Sequence, residues 1–125
     1  QTAMLMDLLQ EEYAAGNYVI AGGDFNCSFP VVDPAAWPIL SAENYVPGVI
    51  DGEALPEGFQ WAVDASMPTC RLLNHPLGMG EQDQFYVIDG FILSPNVTLL
   101  GVETLDGEFQ YSDHNPVRLT VALAD

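Results

Sequence analysis

The chain has 125 residues, enough for one domain, and its apolar content of 49% is ample for a core. Eighteen Asp and Glu face two Arg and no Lys, a formal charge of −16, which disfavours nucleic acid because non-specific affinity for phosphates comes from Lys and Arg. Phosphoesters remain open as ligands, since a bound divalent cation reverses the local sign, and no run approaches the ~20 apolar residues of a membrane helix.

Met4, Leu5, Leu8, Leu9 and Tyr13 recur at three- and four-residue steps and predict a helix over residues 2–15, stopped by Gly16-Asn17. The chain opens at Gln1 directly into that pattern. This reads as a fragment or a processed product, with upstream targeting information removed, and leans toward an extracellular or cell-envelope location over a cytoplasmic one. Tyr18 to Ala21 reads as a short buried strand, ended by Gly22-Gly23. Residues 27–80 carry Pro30, Pro34, Pro38, Pro47, Pro56, Pro68 and Pro76. Such punctuation predicts a long loop region with short helical turns, one of them at Pro34 to Leu40.

Regularity returns at Gln84 to Leu93, an apolar run that fits one strand buried on both faces. Ser94-Pro95-Asn96 turns the chain into a strand at Val97 to Val102, and Asp106-Gly107 is a further turn. The alternation of Val117, Leu119, Val121 and Leu123 with polar or small residues predicts a last strand over 116–122. Cys27 and Cys70 have no metal-ligand spacing; they read as free buried thiols, with a single bridge as the other option.

Two motifs carry candidate chemistry. Gly23-Asp24-Phe25-Asn26 delivers an acid and an amide from the end of a strand. An acid there can orient or deprotonate a water, and an amide can bond a phosphoryl oxygen; alone, the tetrapeptide reads equally as a turn. Ser112-Asp113-His114-Asn115-Pro116 places an acid and a histidine at a strand entrance, where a lone histidine is as readily structural. Asp89 differs from both. An ionised carboxylate inside Val87-Ile88-Asp89-Gly90-Phe91-Ile92-Leu93 is costly unless paired, and its natural partner is a histidine whose tautomer it would fix.

In this order, these motifs resemble those of the endonuclease/exonuclease/phosphatase (DNase I-like) superfamily of metal-dependent phosphoesterases. Pro68-Thr69-Cys70-Arg71 is similar to a stretch many members carry ahead of their isoleucine-aspartate strand. The resemblance implies an α/β fold: half of a four-layer α/β sandwich, with one mixed sheet and flanking helices. Residues 1–125 would be the C-terminal portion of one such domain. It implies that Asp24 activates the nucleophilic water, that Asn26 stabilises the phosphoryl group, that Asp89 orients His114, and that His114 contacts the scissile phosphate. Arg71 would bind substrate and Asp113 would sit at a Mg²⁺ site, with Mn²⁺ as a substitute.

Two departures stand out. Gly90 separates Asp89 from the aromatic Phe91, and the family's first half, which supplies an early asparagine and a metal-ligand glutamate, has no counterpart here. Glu11, Glu12, Glu43, Glu53, Glu57, Glu81, Glu103 and Glu108 lie on the helix or in loops and turns by pattern. The expected partners are therefore a phosphoester substrate and either an N-terminal half or a second copy meeting an apolar sheet face. The other function class is a catalytically inert fragment or binding module that keeps the scaffold.

Overall fold

The computed structural model describes residues 1–79 and 82–125; Glu81, assigned to a loop by pattern, lies outside them. In chain order the elements are helix α1 (Thr2–Ala14) and strands β1 (Ile20–Asp24), β2 (Cys27–Ser28), β3 (Gly48–Val49), β4 (Gln60–Ala62), β5 (Cys70–Arg71), β6 (Phe85–Tyr86), β7 (Asp89–Leu93), β8 (Val97–Thr104) and β9 (Val117–Leu123). The content is mixed α/β, and among the described residues no helix is long and apolar enough to cross a membrane.

The single mixed sheet with flanking helices is not what forms. The strands divide into small sheets, β1-β7-β4, β2-β3, β5-β6 and β8-β9, and only β2 and β3 run parallel. One α-helix is present among the described residues. The 27–80 region explains the division, because its prolines and turns leave strands of two or three residues that cannot extend a common ladder. Pro34 to Leu40 forms turns without a helix, and the one helical turn of this region is a 3₁₀ turn at Gly52–Ala54.

β7 is the centre of the main sheet. Its side chains alternate: Ile92 packs with Met6, Leu9, Val19 and Phe59 under α1, while Phe91 and Leu93 pack with Val97, Leu99, Leu119 and Val121 of the β8-β9 hairpin. The sheet is thus covered on one face by the helix and on the other by the hairpin, and the expected bare apolar face is absent among the described residues. The exposed apolar side chains are instead scattered: Met4 and Leu8 on α1, Ile20 on the edge strand β1, Val31, Val46 and Val49 in the 27–80 region, and Leu100 and Leu123 on the hairpin are among them.

Two local readings need correction. Gly22-Gly23 does not end the first strand. β1 continues to Asp24, paired with β7 so that Gly22 lies opposite Phe91 and Asp24 opposite Asp89. Glycine is required at position 22 because a Cβ there would lie 2.4 Å from Phe91 Cδ1. The Gln84–Leu93 run is not one strand either. β6 belongs with β5, β7 with β1 and β4, and Val87-Ile88 carries the chain between the two sheets. The fully buried Thr69 takes over the hydrogen bonding at the break: its Oγ1 accepts from Ile88 N at 3.0 Å and Asp89 N at 3.2 Å.

Candidate active site

The register of β1 against β7 sets Asp24 beside Asp89. The segment 69–71 is zipped antiparallel to 113–115: Cys70 bridges His114, Arg71 N donates to Asp113 O at 2.9 Å, and Asn115 N donates to Thr69 O at 2.8 Å. The buried Asn115 anchors the second segment further, with Nδ2 on Pro68 O at 2.9 Å and Oδ1 accepting from Gly107 N at 3.0 Å. His114 N also donates to Ser112 Oγ at 3.0 Å. Backbone pairing therefore brings His114 to the main sheet, although the residues involved are far apart in sequence.

His114 Nδ1 lies 2.9 Å from Asp89 Oδ2. A carboxylate can only accept, so Nδ1 carries the proton and Nε2 is the working nitrogen. Nε2 stands 3.6 Å from Asp24 Oδ2 and 3.6 Å from Cys70 Sγ. Asp24 is the open member of the group, with its side chain 36% exposed against 15% for Asp89. Its Oδ1 accepts from Asn26 N at 2.7 Å, which holds Asn26 in the left-handed region at φ 51°. Tyr45 Oη donates to Asn26 O at 3.0 Å and Tyr86 Oη to Tyr45 O at 2.6 Å, so the Asp24–Asn26 turn is braced from β6.

The electrostatics follow from this crowding. Burial works against the His114 imidazolium, but the Asp89 hydrogen bond and the charges of Asp89, Asp113 and Asp24 outweigh it, and its pKa is raised. Burial also raises Asp89, only partly offset by hydrogen bonds from Thr69 and His114 and by the His114 charge. The Cys70 thiol is pushed up to about 12, first by burial and then by the charges of Asp113, Asp89 and Asp24. It is a protonated thiol at neutral pH and not a nucleophile.

Asp24, Asp89 and His114 thus form one cluster, and Asp113 groups with His114 and Cys70 in a second. Asn26 adjoins it through Asp24. Arg71 does not turn into it: Nη1 donates to the carbonyls of Leu72 at 3.3 Å and His75 at 3.1 Å. Sequence reasoning missed two members. Thr69 and Cys70 lie in a motif noticed for its resemblance, but only the backbone bridge reveals that they support Asp89 and face His114.

Mg²⁺ takes hard oxygen ligands, one or two carboxylates with water completing the shell. The Asp113 carboxylate suits such an ion, and the Cys70 thiol grouped with it does not. No family model matches the chain, and no curated protein or solved structure matches it.

Proposed function

We propose that this chain carries the hydrolytic centre of a divalent-cation-dependent phosphoester hydrolase of the endonuclease/exonuclease/phosphatase type. The observation that carries this reading is the line Asp89–His114–Asp24, in which a half-buried carboxylate fixes the tautomer of a histidine whose other nitrogen faces an open carboxylate.

In this reading Asp24 orients the attacking water and takes its proton. The water oxygen bonds to phosphorus as the ester P–O bond breaks. His114, protonated at Nε2 and held by Asp89, donates to a phosphoryl oxygen and stabilises the charge that develops there. The Asn26 amide donates to a second oxygen. Asp113 would hold Mg²⁺ or Mn²⁺, which would supply Lewis-acid polarisation of the phosphoryl group. A cavity of about 300 Å³, lined by Phe29, Trp37, Ile39, Val46 and Tyr86 among others, contains none of the site residues but is tied to the Asp24–Asn26 turn through Tyr86 and Tyr45, and suits an apolar substituent on the ester. Its lack of Lys or Arg and the acidity of the chain favour a small or lipid phosphoester over nucleic acid.

The same reading makes residues 1–125 the C-terminal portion of a four-layer sandwich. A first half, or a second copy, would add to the free edge of β1 near Ile20, and the first half would supply the missing glutamate. A catalytically inert binding module is the second reading. It is favoured by one observation: among the described residues, neither ligand cluster contains a glutamate. The two separate by assay of a generic phosphodiester and a phosphomonoester, with and without Mg²⁺, for the chain alone and with a first half added. The hydrolase reading expects little turnover alone and Mg²⁺-dependent turnover in the complete protein. No turnover in the complete protein leaves the binding module.

A further inference from the structure

We propose that Cys70, Asp113 and His114 form a binding site for a transition metal of Zn²⁺ type, one that takes a thiolate ligand Mg²⁺ does not accept. One ligand atom from each of these residues lies within 4.8 Å of the others. The sulfur–nitrogen spacing is that of a tetrahedral centre. Zn–S of about 2.3 Å and Zn–N of about 2.0–2.1 Å at a tetrahedral angle put sulfur and nitrogen roughly 3.5 Å apart. Cys70 Sγ and His114 Nε2 are 3.6 Å apart.

A second observation is independent of that distance. Metal-bound histidines donate their other ring N–H to a carboxylate, which fixes the tautomer and strengthens the ligand. His114 Nδ1 does this to Asp89 Oδ2 at 2.9 Å. Nε2, the nitrogen left over, is the one facing the sulfur. The site is also pre-formed, because the Cys70–His114 bridge and the Arg71 N to Asp113 O bond at 2.9 Å hold the ligands from two paired segments. The three proteins ligands leave a fourth position for water. Asp24 and Asp89 add negative charge around it without occupying the sulfur.

Binding replaces the thiol hydrogen of Cys70 with a metal–sulfur bond and releases one proton to solvent. The Asp24 and Asp89 carboxylates around the site attract a dication. Softness selects the ion: thiolate and imidazole suit Zn²⁺, while Mg²⁺ prefers oxygen and water. In the bound state Nε2 is no longer available to a phosphate, so Zn²⁺ would oppose the hydrolytic role proposed for His114. The site itself does not rest on that role.

The test is titration of the full chain, reduced and metal-free, with Co²⁺ as a spectroscopic probe. A thiolate-to-cobalt charge-transfer band should grow to one equivalent, be displaced by one equivalent of Zn²⁺, and persist in a large excess of Mg²⁺. Cys70→Ser should abolish the band and Cys27→Ser should retain it. Asp89→Asn, which removes only the outer partner, should weaken Co²⁺ binding about ten- to a hundredfold. That variant decides the matter if circular dichroism shows Cys70→Ser unfolded. No thiolate band, a band that survives Cys70→Ser, or an Asp89→Asn affinity equal to the parent's would overturn the proposal. None of these readouts uses phosphoester turnover, so they are distinguishable from a failure of the hydrolase reading.

Discussion

His114 and Asp89 share a hydrogen bond of 2.9 Å between Nδ1 and Oδ2, joining strand β7 to the segment that bridges Cys70. The bond gives the half-buried carboxylate its partner and fixes which imidazole nitrogen faces Asp24. Asp89→Asn removes the charge and leaves the burial. The His114 pKa should then fall below its parent value, because desolvation, which disfavours the imidazolium, is then opposed only by the charges of Asp113 and Asp24. Titration of the ring by nuclear magnetic resonance reads this directly, and an unchanged pKa would mean that Asp89 does not govern His114.

Stability should track the same titration. The folded pKa of His114 is raised above its ordinary 6.5. Its contribution is therefore fully present below about 6.5 and is lost as pH rises through the folded value. In metal-free buffer, the urea midpoint should decline over that window in the parent. In His114→Gln this part of the decline should vanish. Equal slopes in the two proteins would contradict the assignment.

Thr69 is the concealed support of the site. Its hydroxyl accepts from two amides, at 3.0 and 3.2 Å, at a position with no solvent exposure. Thr69→Val preserves shape but leaves buried donors without a partner, at about 1–3 kcal/mol for an unsatisfied group. Thr69→Ser should recover most of that loss. Denaturant melts of both variants give the comparison, and a Val variant as stable as the parent would remove Thr69 from the account.

Gly22 holds β1 against β7. Alanine there places Cβ 2.4 Å from the Phe91 ring, and overpacking of this kind costs about 1–3 kcal/mol. The ring must yield or β1 must shift, and a shift of β1 carries Asp24 away from His114. Gly22→Ala should therefore lower both the thermal midpoint and the turnover of the complete protein. An unaffected variant would show that the close approach of the two strands is not needed.

The pairing of Asp89 with a histidine was more legible in the sequence than the architecture. Asp89 announced itself because a charge within an apolar run requires a partner, and the structure supplies His114. The helix at Thr2–Ala14 and the last strand were visible as periodicity. The division of Gln84–Leu93 was not, because Thr69, a remote side chain, replaces the ladder at Ile88 and Asp89. Gly22-Gly23 looked like an ending because the ring of Phe91, which requires the missing Cβ, comes from another strand. Cys70 looked inert, since only the bridge to His114 shows which face the sulfur occupies.

The central claim is that His114, aligned by Asp89 and facing Asp24, stabilises charge on a scissile phosphoester. The most direct measurement is Mg²⁺-dependent hydrolysis of a generic phosphodiester by the complete protein, compared with its His114→Ala variant. The account predicts that the variant loses on the order of a hundredfold or more in turnover, the scale of removing one group that stabilises transition-state charge, while its circular dichroism is unchanged. A folded His114→Ala protein with full turnover, or robust Mg²⁺-dependent turnover by residues 1–125 alone, would contradict it.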